Sequence, residues 1–298
     1  MHDCYDRIIL TLNKALVLKQ TGFFVLSPRK KNDCIMKLKT LQILNILGLA
    51  GVILINYLAN AMPIGGNTTG ELSGLYPSLF TPVAFTFAIW GLIYLLLLLF
   101  VIYQSRELFH PKISPRLRFL YRIDVWFFVS SVANISWIFV WHYQVVWLSV
   151  VIMLILLGAL LVIYFRLGIG RRIVGQGERF FVHLPFSVYL GWITVATIAN
   201  IAAFLVKINW DGFGQSAEFW TALMIGVASA ITMVILIMRK DLYFTLVILW
   251  AFFGILYKRL TVDPQQSLAI WITAVTGIFL ITSLAIFFSI KPFLKVKD

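Results

Sequence analysis

The chain has 298 residues, of which 61% are hydrophobic and 12% are charged, whereas soluble domains carry about 25% charged residues. Its apolar residues fall in runs of the roughly 20 residues that cross a bilayer, so the composition excludes a soluble domain and predicts an all-α, multi-pass integral membrane protein. The formal net charge of +13 could indicate a nucleic-acid partner, but the basic residues form short clusters between apolar runs, and we expect no nucleic acid.

The N-terminal segment, residues 1–40, is basic and only patchily apolar. Two lysines and a glutamine interrupt its apolar run at 8–26, which is therefore a poor spanning helix. A clean apolar run follows Met36 and the residues KLKT, so Met36 is a second candidate start. We expect residues 1–35 to be a cytoplasmic tail or an over-extended reading frame.

Eight membrane spans are predicted from the apolar runs, and their bounds are near 41–61, 82–103, 119–141, 145–166, 181–206, 217–238, 241–257 and 267–290. With the N-terminus inside, only Lys207, Lys258 and Arg259 fall in outer loops. Positive charge marks the cytoplasmic side, so both termini are predicted to be cytoplasmic, in a plasma (inner) membrane whose anionic lipids contact the basic loops.

The spans themselves are almost free of ionisable side chains. Apart from Glu71 in an outer loop, no acid or base lies between Leu41 and Tyr103. Ion-coupled pumps and hydrolases need such groups inside the membrane, so the sequence favours a protein that is not an enzyme, without deciding the point. Asp124 is the nearest candidate, and we interpret it as an interfacial ion pair with Arg118 and Arg122. The four histidines have no metal-ligand spacing, so no metal site is predicted.

Aromatic and amide side chains recur at helical spacing on one face of three spans. The second span carries Phe87, Trp90 and Tyr94 after Pro82, the third carries Ser130, Asn134, Trp137 and Trp141, and the fifth carries Tyr189, Trp192, Ala196 and Asn200. At 1.5 Å per residue, the central members of these stripes lie about 9–15 Å from the outer surface. Spans two, three and five are therefore expected to build one aromatic cavity with two amides. The Gly-rich loop 60–81 is expected to cap it.

A structural role for the same residues stays open. Tryptophans near helix ends, such as Trp141 and Trp147, are typical of the aromatic belt at membrane interfaces. Asn134 and Asn200 are also typical of hydrogen bonds between membrane helices. The two roles are compatible.

The three stripes carry a family resemblance. Pro77, Pro82, Trp90 and Tyr94 match the spacing of K-P-x-W-x-P-P followed by V-W-x-x-L-Y, and Asn134 and Trp137 match L-N-x-x-W. The fifth span matches P-Y-L-x-W-x-x-x-A-T-x-x-N at Tyr189, Leu190, Trp192, Ala196, Thr197 and Asn200. At these positions the chain resembles the translocator protein / tryptophan-rich sensory protein (TspO/MBR) family. The resemblance covers about 41–206, so a TspO-like five-helix core is expected, followed by a three-helix C-terminal extension at 207–298.

The resemblance implies a cavity that binds a hydrophobic planar ligand of the tetrapyrrole type, with a sensory, regulatory or transport role. No cofactor is required, and porphyrin or haem is the candidate ligand. The expected ligand-binding residues are Pro82, Phe87, Trp90, Tyr94, Asn134, Trp137, Tyr189, Trp192, Ala196 and Asn200.

The loop departs from the family pattern at three positions, with Tyr76, Leu79 and Thr81 where the family has Lys, Trp and Pro. The resemblance therefore implies the pocket scaffold more strongly than its ligand. Expected partners are membrane lipids and a hydrophobic small molecule, and homodimerisation stays open. The alternative function is a facilitated carrier or permease for an uncharged small solute, in which the last three spans complete the pathway.

Overall fold

The computed structural model describes residues 28–62, 66–109, 117–261 and 268–294, with side chains from residue 36 to residue 290 of these ranges. Regular secondary structure in this part of the chain is helical throughout. The long helices are α1 (Pro28–Ala61), α2 (Ile89–Ser105), α3 (Trp126–His142), α4 (Val146–Leu167), α5 (Leu184–Lys207), α6 (Ala217–Arg239), α7 (Leu242–Thr261) and α8 (Leu268–Leu294).

The eight long helices correspond one to one with the eight predicted spans. Seven of them are long and apolar enough to cross a membrane by length and composition. The remaining one, α3, has 17 residues, which is at the short end of the range for a spanning helix. The chain is an all-α, multi-pass integral membrane protein. Of the predicted tail 1–40, residues 1–27 lie outside the described residues, and α1 begins at Pro28.

The third predicted span, 119–141, is not one continuous helix. A short helix, Arg118–Ile123, ends at Asp124, whose backbone takes φ 52° and ψ −137°. Asp124 is an ion-pairing residue as predicted, but its carboxylate lies 3.7 Å from Lys37 Nζ and 3.8 Å from Arg166 Nη2, so the expected pairing with Arg118 and Arg122 is wrong. The short helix Arg118–Ile123 before the break contains no proline or glycine that would predict it. Ion pairs to other helices cannot be predicted from the spacing of nearby residues.

Two further spans begin in a different helical form from the one expected. The entry to α2, Ala84–Ala88, is a 3₁₀ helix, and the entry to α5, Arg179–His183, is a π-helix. At the first of these, the Val83 N–H donates to the carbonyl oxygen of Gly254 in α7 at 3.2 Å. The start of the second span is therefore tied to another helix and does not follow the α-helical pattern of its own sequence.

Five helices close into a ring. α1 packs against α2 and α3, α3 against α4, α4 against α5, and α5 against α2. α7 packs on the outside of this ring, against α5 and the Ala84–Ala88 turn, while α6 and α8 pack on α7 and on each other. The last three helices therefore reach the ring mainly through α7.

The contact between α7 and the ring has a polar clasp at the end of the bundle predicted to be inside. The buried carboxylate of Asp241 caps α7 by accepting from the Tyr243 and Phe244 N–H groups, each at 3.2 Å. It also accepts from the Tyr164 hydroxyl of α4 at 2.8 Å and from the Ser187 hydroxyl of α5. One buried carboxylate thus joins three helices, with its charge met by four donors.

Candidate ligand-binding cavity

A cavity of about 1040 Å³ lies between α1, α2 and α3 at the end of the bundle predicted to face outside. α1 contributes one wall, α2 and α3 contribute the other two, and the loop before α2 covers the rim. Its lining consists of Ile53, Asn56, Tyr57, Asn60, Ala61, Thr68, Thr69, Gly70, Ser73, Gly74, Thr81, Pro82, Val83, Ala84, Phe87, Trp90, Tyr94, Asn134, Trp137, Ile138 and Lys258.

Six of the ten predicted ligand-binding residues line this cavity, and they are Pro82, Phe87, Trp90, Tyr94, Asn134 and Trp137. Trp90 and Tyr94 stack with ring centroids 5.5 Å apart, and one turn earlier Phe87 meets Trp192 edge-on at 5.8 Å. The helical spacing of these residues thus produces a continuous aromatic wall on α2, even though Phe87 belongs to the 3₁₀ turn.

The four predicted residues of the fifth span, Tyr189, Trp192, Ala196 and Asn200, are not among the lining residues. Tyr189 and Trp192 are buried behind Trp90, with both rings edge-on to it at 6.2 Å. Ala196 is half-buried against the core. Because α2 and α3 lie between α5 and the cavity at these positions, the α5 stripe supports the wall without forming its surface.

An amide chain crosses the bundle at the level of the aromatic wall. Asn56 Nδ2 donates to Asn134 Oδ1 at 2.9 Å, and Asn134 Nδ2 donates to the Tyr189 hydroxyl at 3.2 Å. This chain links α1, α3 and α5, and Asn134 also lines the cavity. Asn134 therefore has the geometry of an interhelical bridge and the location of a ligand contact.

A second polar chain runs through Asn200. The Trp137 indole N–H donates to Asn200 Oδ1 at 2.9 Å, and Asn200 Nδ2 donates to the Ser149 hydroxyl at 2.9 Å. Asn200 is buried and acts in this structure as an orienting group for the Trp137 ring. Asn200 orients the Trp137 ring from the side opposite the cavity, because its Oδ1 and its Nδ2 are both bonded to side chains of neighbouring helices.

The loop over the cavity contains a short helix, Thr69–Gly74, where the sequence indicates only a long Gly-rich connection. Thr68 and Glu71 form a capping box at its start. The Thr68 N–H and hydroxyl both donate to the Glu71 carboxylate, which holds the pKa of Glu71 below its ordinary value. We call residues 66–81 the lid.

The lid is tied to the end of α3. The Trp141 indole N–H donates to the Thr69 carbonyl oxygen at 3.3 Å, and the Thr69 hydroxyl lies 3.1 Å from His142 Nε2. The Tyr76 ring packs on Trp141 with centroids 5.7 Å apart, and burial raises the pKa of Tyr76. Trp141 is buried and anchors the lid, which is a more specific task than the interfacial belt position that its place near a helix end suggests.

The sequence reasoning missed two contributions to the lining. Asn56 and Asn60 on α1 are four residues apart in an otherwise apolar run, so the criterion that selected Asn134 and Asn200 could have found them. Lys258 lies on α7, and the sequence pattern around it indicates only an outer loop, so nothing local predicts that it lines the cavity. Among the described residues, no group of three or more His, Cys, Asp and Glu side chains could hold a metal ion.

Comparison with known proteins assigns a family. A family model described as TSPO-like protein matches residues 42–287. The match extends beyond the 41–206 over which the motifs carry the resemblance, and it takes in α6, α7 and most of α8. Searches of curated proteins and of solved structures found no match.

Proposed function

This chain belongs to the TSPO-like protein family, and on that premise we propose that it binds a flat, hydrophobic small molecule in the cavity between α1, α2 and α3. A tetrapyrrole is the model ligand. The observation that carries the proposal is the aromatic wall of Phe87, Trp90 and Tyr94 facing a cavity of about 1040 Å³.

The size and the chemistry of the cavity support this proposal. Small-molecule sites are usually concave, mostly apolar and about 300–1,000 Å³ in volume, with a few polar groups that orient the ligand. Here the aromatic rings offer flat faces for stacking, while the amides of Asn56 and Asn134 supply directional contacts. Because the lid covers the rim, ligand occupancy would change lid contacts, which gives binding a route to a sensory, regulatory or transport role.

The inner half of the ring favours binding over passage of a solute. Four buried rings, those of Phe100, Phe119, Phe127 and Phe186, pack there with centroids 5.0–6.3 Å apart. A carrier for uncharged solutes needs a path from one membrane face to the other, and these rings fill the centre of the bundle below the cavity. The packed half therefore gives the binding proposal more support than the carrier alternative.

The proposal is tested by titrating the purified protein in detergent with protoporphyrin IX and following the quenching of tryptophan fluorescence. Trp90→Phe replaces the indole that stacks on Tyr94 at the cavity wall with a smaller ring. It is expected to weaken binding by less than the roughly 1–3 kcal/mol that removal of a whole stacking ring costs.

Trp147→Phe is the matched control, because Trp147 is 59% exposed on α4 and lies outside the lining. It should leave the dissociation constant unchanged. Equal, weak quenching in the wild type and in both variants would overturn the proposed function.

A further inference from the structure

Two asparagines on α1, Asn56 and Asn60, line the cavity with their amide groups turned the same way. They are four residues apart and therefore share one face of the helix. Asn56 Nδ2 donates to the Val52 carbonyl oxygen at 2.9 Å, and Asn60 Nδ2 donates to the Asn56 carbonyl oxygen at 2.8 Å. Each NH₂ group thus binds the backbone carbonyl four residues earlier, and each Oδ1 atom is directed away from that carbonyl.

The two Oδ1 atoms are acceptors that meet no donor within the described part of the chain. The side-chain hydrogen bonds of Asn56 and Asn60 all leave from their NH₂ groups, and the second bond of Asn56 goes to Asn134 Oδ1. An amide oxygen can only accept. The two oxygens are about 5–6 Å apart, as are the Cβ atoms of helical residues at this spacing. The α1 wall therefore presents a short row of two acceptors to the contents of the cavity.

The other polar groups of the lining are either bonded within the protein or able to adapt to a ligand. The Asn134 amide is used at both of its ends, and the Trp137 indole N–H is bonded to Asn200. Lys258 already interacts with another part of the chain. Hydroxyl groups of the lining, such as that of Tyr94, can donate or accept. The α1 amides, whose polarity is fixed, therefore decide which hydrogen-bonding group a ligand must carry on this side.

We propose that the amide oxygens of Asn56 and Asn60 accept hydrogen bonds from the ligand, which is therefore a flat apolar molecule with an N–H or O–H donor on the edge facing α1. This inference rests on the proposed function and names the chemical class of the ligand. The flat body stacks on the rings of α2 while its edge donor meets an amide oxygen. The bond to Asn56 is the stronger of the two, because Asn56 is half-buried and Asn60 is exposed, and a hydrogen bond strengthens where water is excluded.

The test compares two flat probes that differ by one donor, carbazole and N-methylcarbazole, by calorimetric titration in a neutral detergent. The wild type is expected to bind carbazole about fivefold more tightly, which is the effect of one hydrogen bond between neutral groups. Asn60→Ala should reduce this preference, and it should keep the fold, because the exposed Asn60 amide bonds to its own helix. The double variant Asn56→Ala, Asn60→Ala should abolish the preference by weakening carbazole alone. Because the detergent is the same throughout, partitioning of the probes into micelles does not contribute to a change in preference between proteins.

Gln215→Ala is the control, because Gln215 carries an exposed amide at the same end of the bundle and does not line the cavity. It should show the wild-type preference. If the wild type binds both probes equally, or if the variants retain the preference or weaken both probes alike, the inference fails and the proposed function stands. Binding of protoporphyrin IX without binding of either carbazole also overturns the inference alone. If the wild type binds none of the three molecules, the proposed function fails and takes the inference with it.

Discussion

Single residues in this protein serve packing and the cavity at the same time, and Asn134 is the clearest case. Its carbonyl oxygen accepts from Asn56 and its NH₂ group donates to Tyr189, so it joins three helices while lining the cavity. Inside a membrane no water replaces a lost partner. The two interpretations of this residue, interhelical bridge and ligand contact, are therefore both compatible with its geometry.

Asn134→Ala is expected to destabilise the protein by about 1–2 kcal/mol, because it removes the amide partner of the buried Tyr189 hydroxyl and one of the two acceptors of the half-buried Asn56 amide, which keeps its bond to the Val52 carbonyl oxygen. Tyr189→Phe removes only one of the two bonds and should cost less, about 0.5–1 kcal/mol. Thermal unfolding in detergent, followed by circular dichroism, measures both changes.

Asn60→Ala is the matched control for these variants. Asn60 also lines the cavity, but it is exposed, and its amide bonds to the Asn56 carbonyl oxygen of its own helix. Its replacement should change stability by less than about 0.5 kcal/mol. An Asn134→Ala protein as stable as the Asn60→Ala protein would contradict a bridging role for Asn134.

At the scale of elements, the lid and α7 are positioned by contacts far apart in sequence. The lid helix begins at its own capping box but is held by Trp141 and His142 at the end of α3. α7 is capped by Asp241 at one end and is pressed against the 3₁₀ turn before α2 at the other. The rim of the cavity therefore depends on α7 as well as on the five-helix ring.

Gly254→Ala is expected to destabilise the protein by about 1–3 kcal/mol, because the added methyl group meets Thr86. This is the opposite of the gain of about 1 kcal/mol that alanine normally gives over glycine inside a helix. Gly226→Ala in α6, where nothing lies within 4 Å of the added atom, should show that ordinary gain. Thermal unfolding in detergent measures both.

Adding Thr86→Ala to Gly254→Ala should restore most of the lost stability, because the two closest atoms, Thr86 Oγ1 and Cγ2, are removed. The Thr86 hydroxyl is buried without a hydrogen-bond partner, so its removal breaks no bond of its own. A Gly254→Ala protein that is as stable as the wild type would show that α7 does not press on this turn.

At the scale of the whole molecule, the ring of five helices and the three helices attached to it form one membrane unit. α7 lies against α5 and the entry to α2, and α6 and α8 reach the ring through it. The membrane orientation of this unit is a prediction from charge. The loops predicted to be outside carry few of the lysines and arginines, and the loop before α5 carries several, so the positive-inside rule predicts that the latter loop is cytoplasmic.

Cysteine labelling tests the orientation. In a Cys4→Ser, Cys34→Ser background, Gln215→Cys between α5 and α6 should react with a membrane-impermeant maleimide in intact cells. Gln176→Cys lies between α4 and α5, and it should react only after the membrane is permeabilised. Both positions are exposed in the structure, so burial does not explain a difference between them. The reverse labelling pattern would reject the predicted orientation.

The sequence by itself determined the class of the protein, the number and approximate bounds of the long helices and most of the aromatic wall. Apolar runs of bilayer length and helical spacing are local properties, and a membrane enforces helices because every backbone group must find its partner internally. The same locality explains why Phe87, Trp90, Tyr94 and Trp137 could be assigned to one side of their spans before the fold was known.

Only the tertiary structure decided which helices face the cavity. Helical spacing shows that side chains share one face of a helix, but it does not show which part of the protein that face contacts. The α5 stripe lies behind the wall, α1 supplies Asn56, and α7 brings in Lys258 from more than 160 positions beyond the second helix's aromatic stripe. The ion pairs of Asp124 and the packing at Gly254 likewise join segments that are distant in sequence. Such contacts have no local periodicity, so they become visible only when the chain is packed.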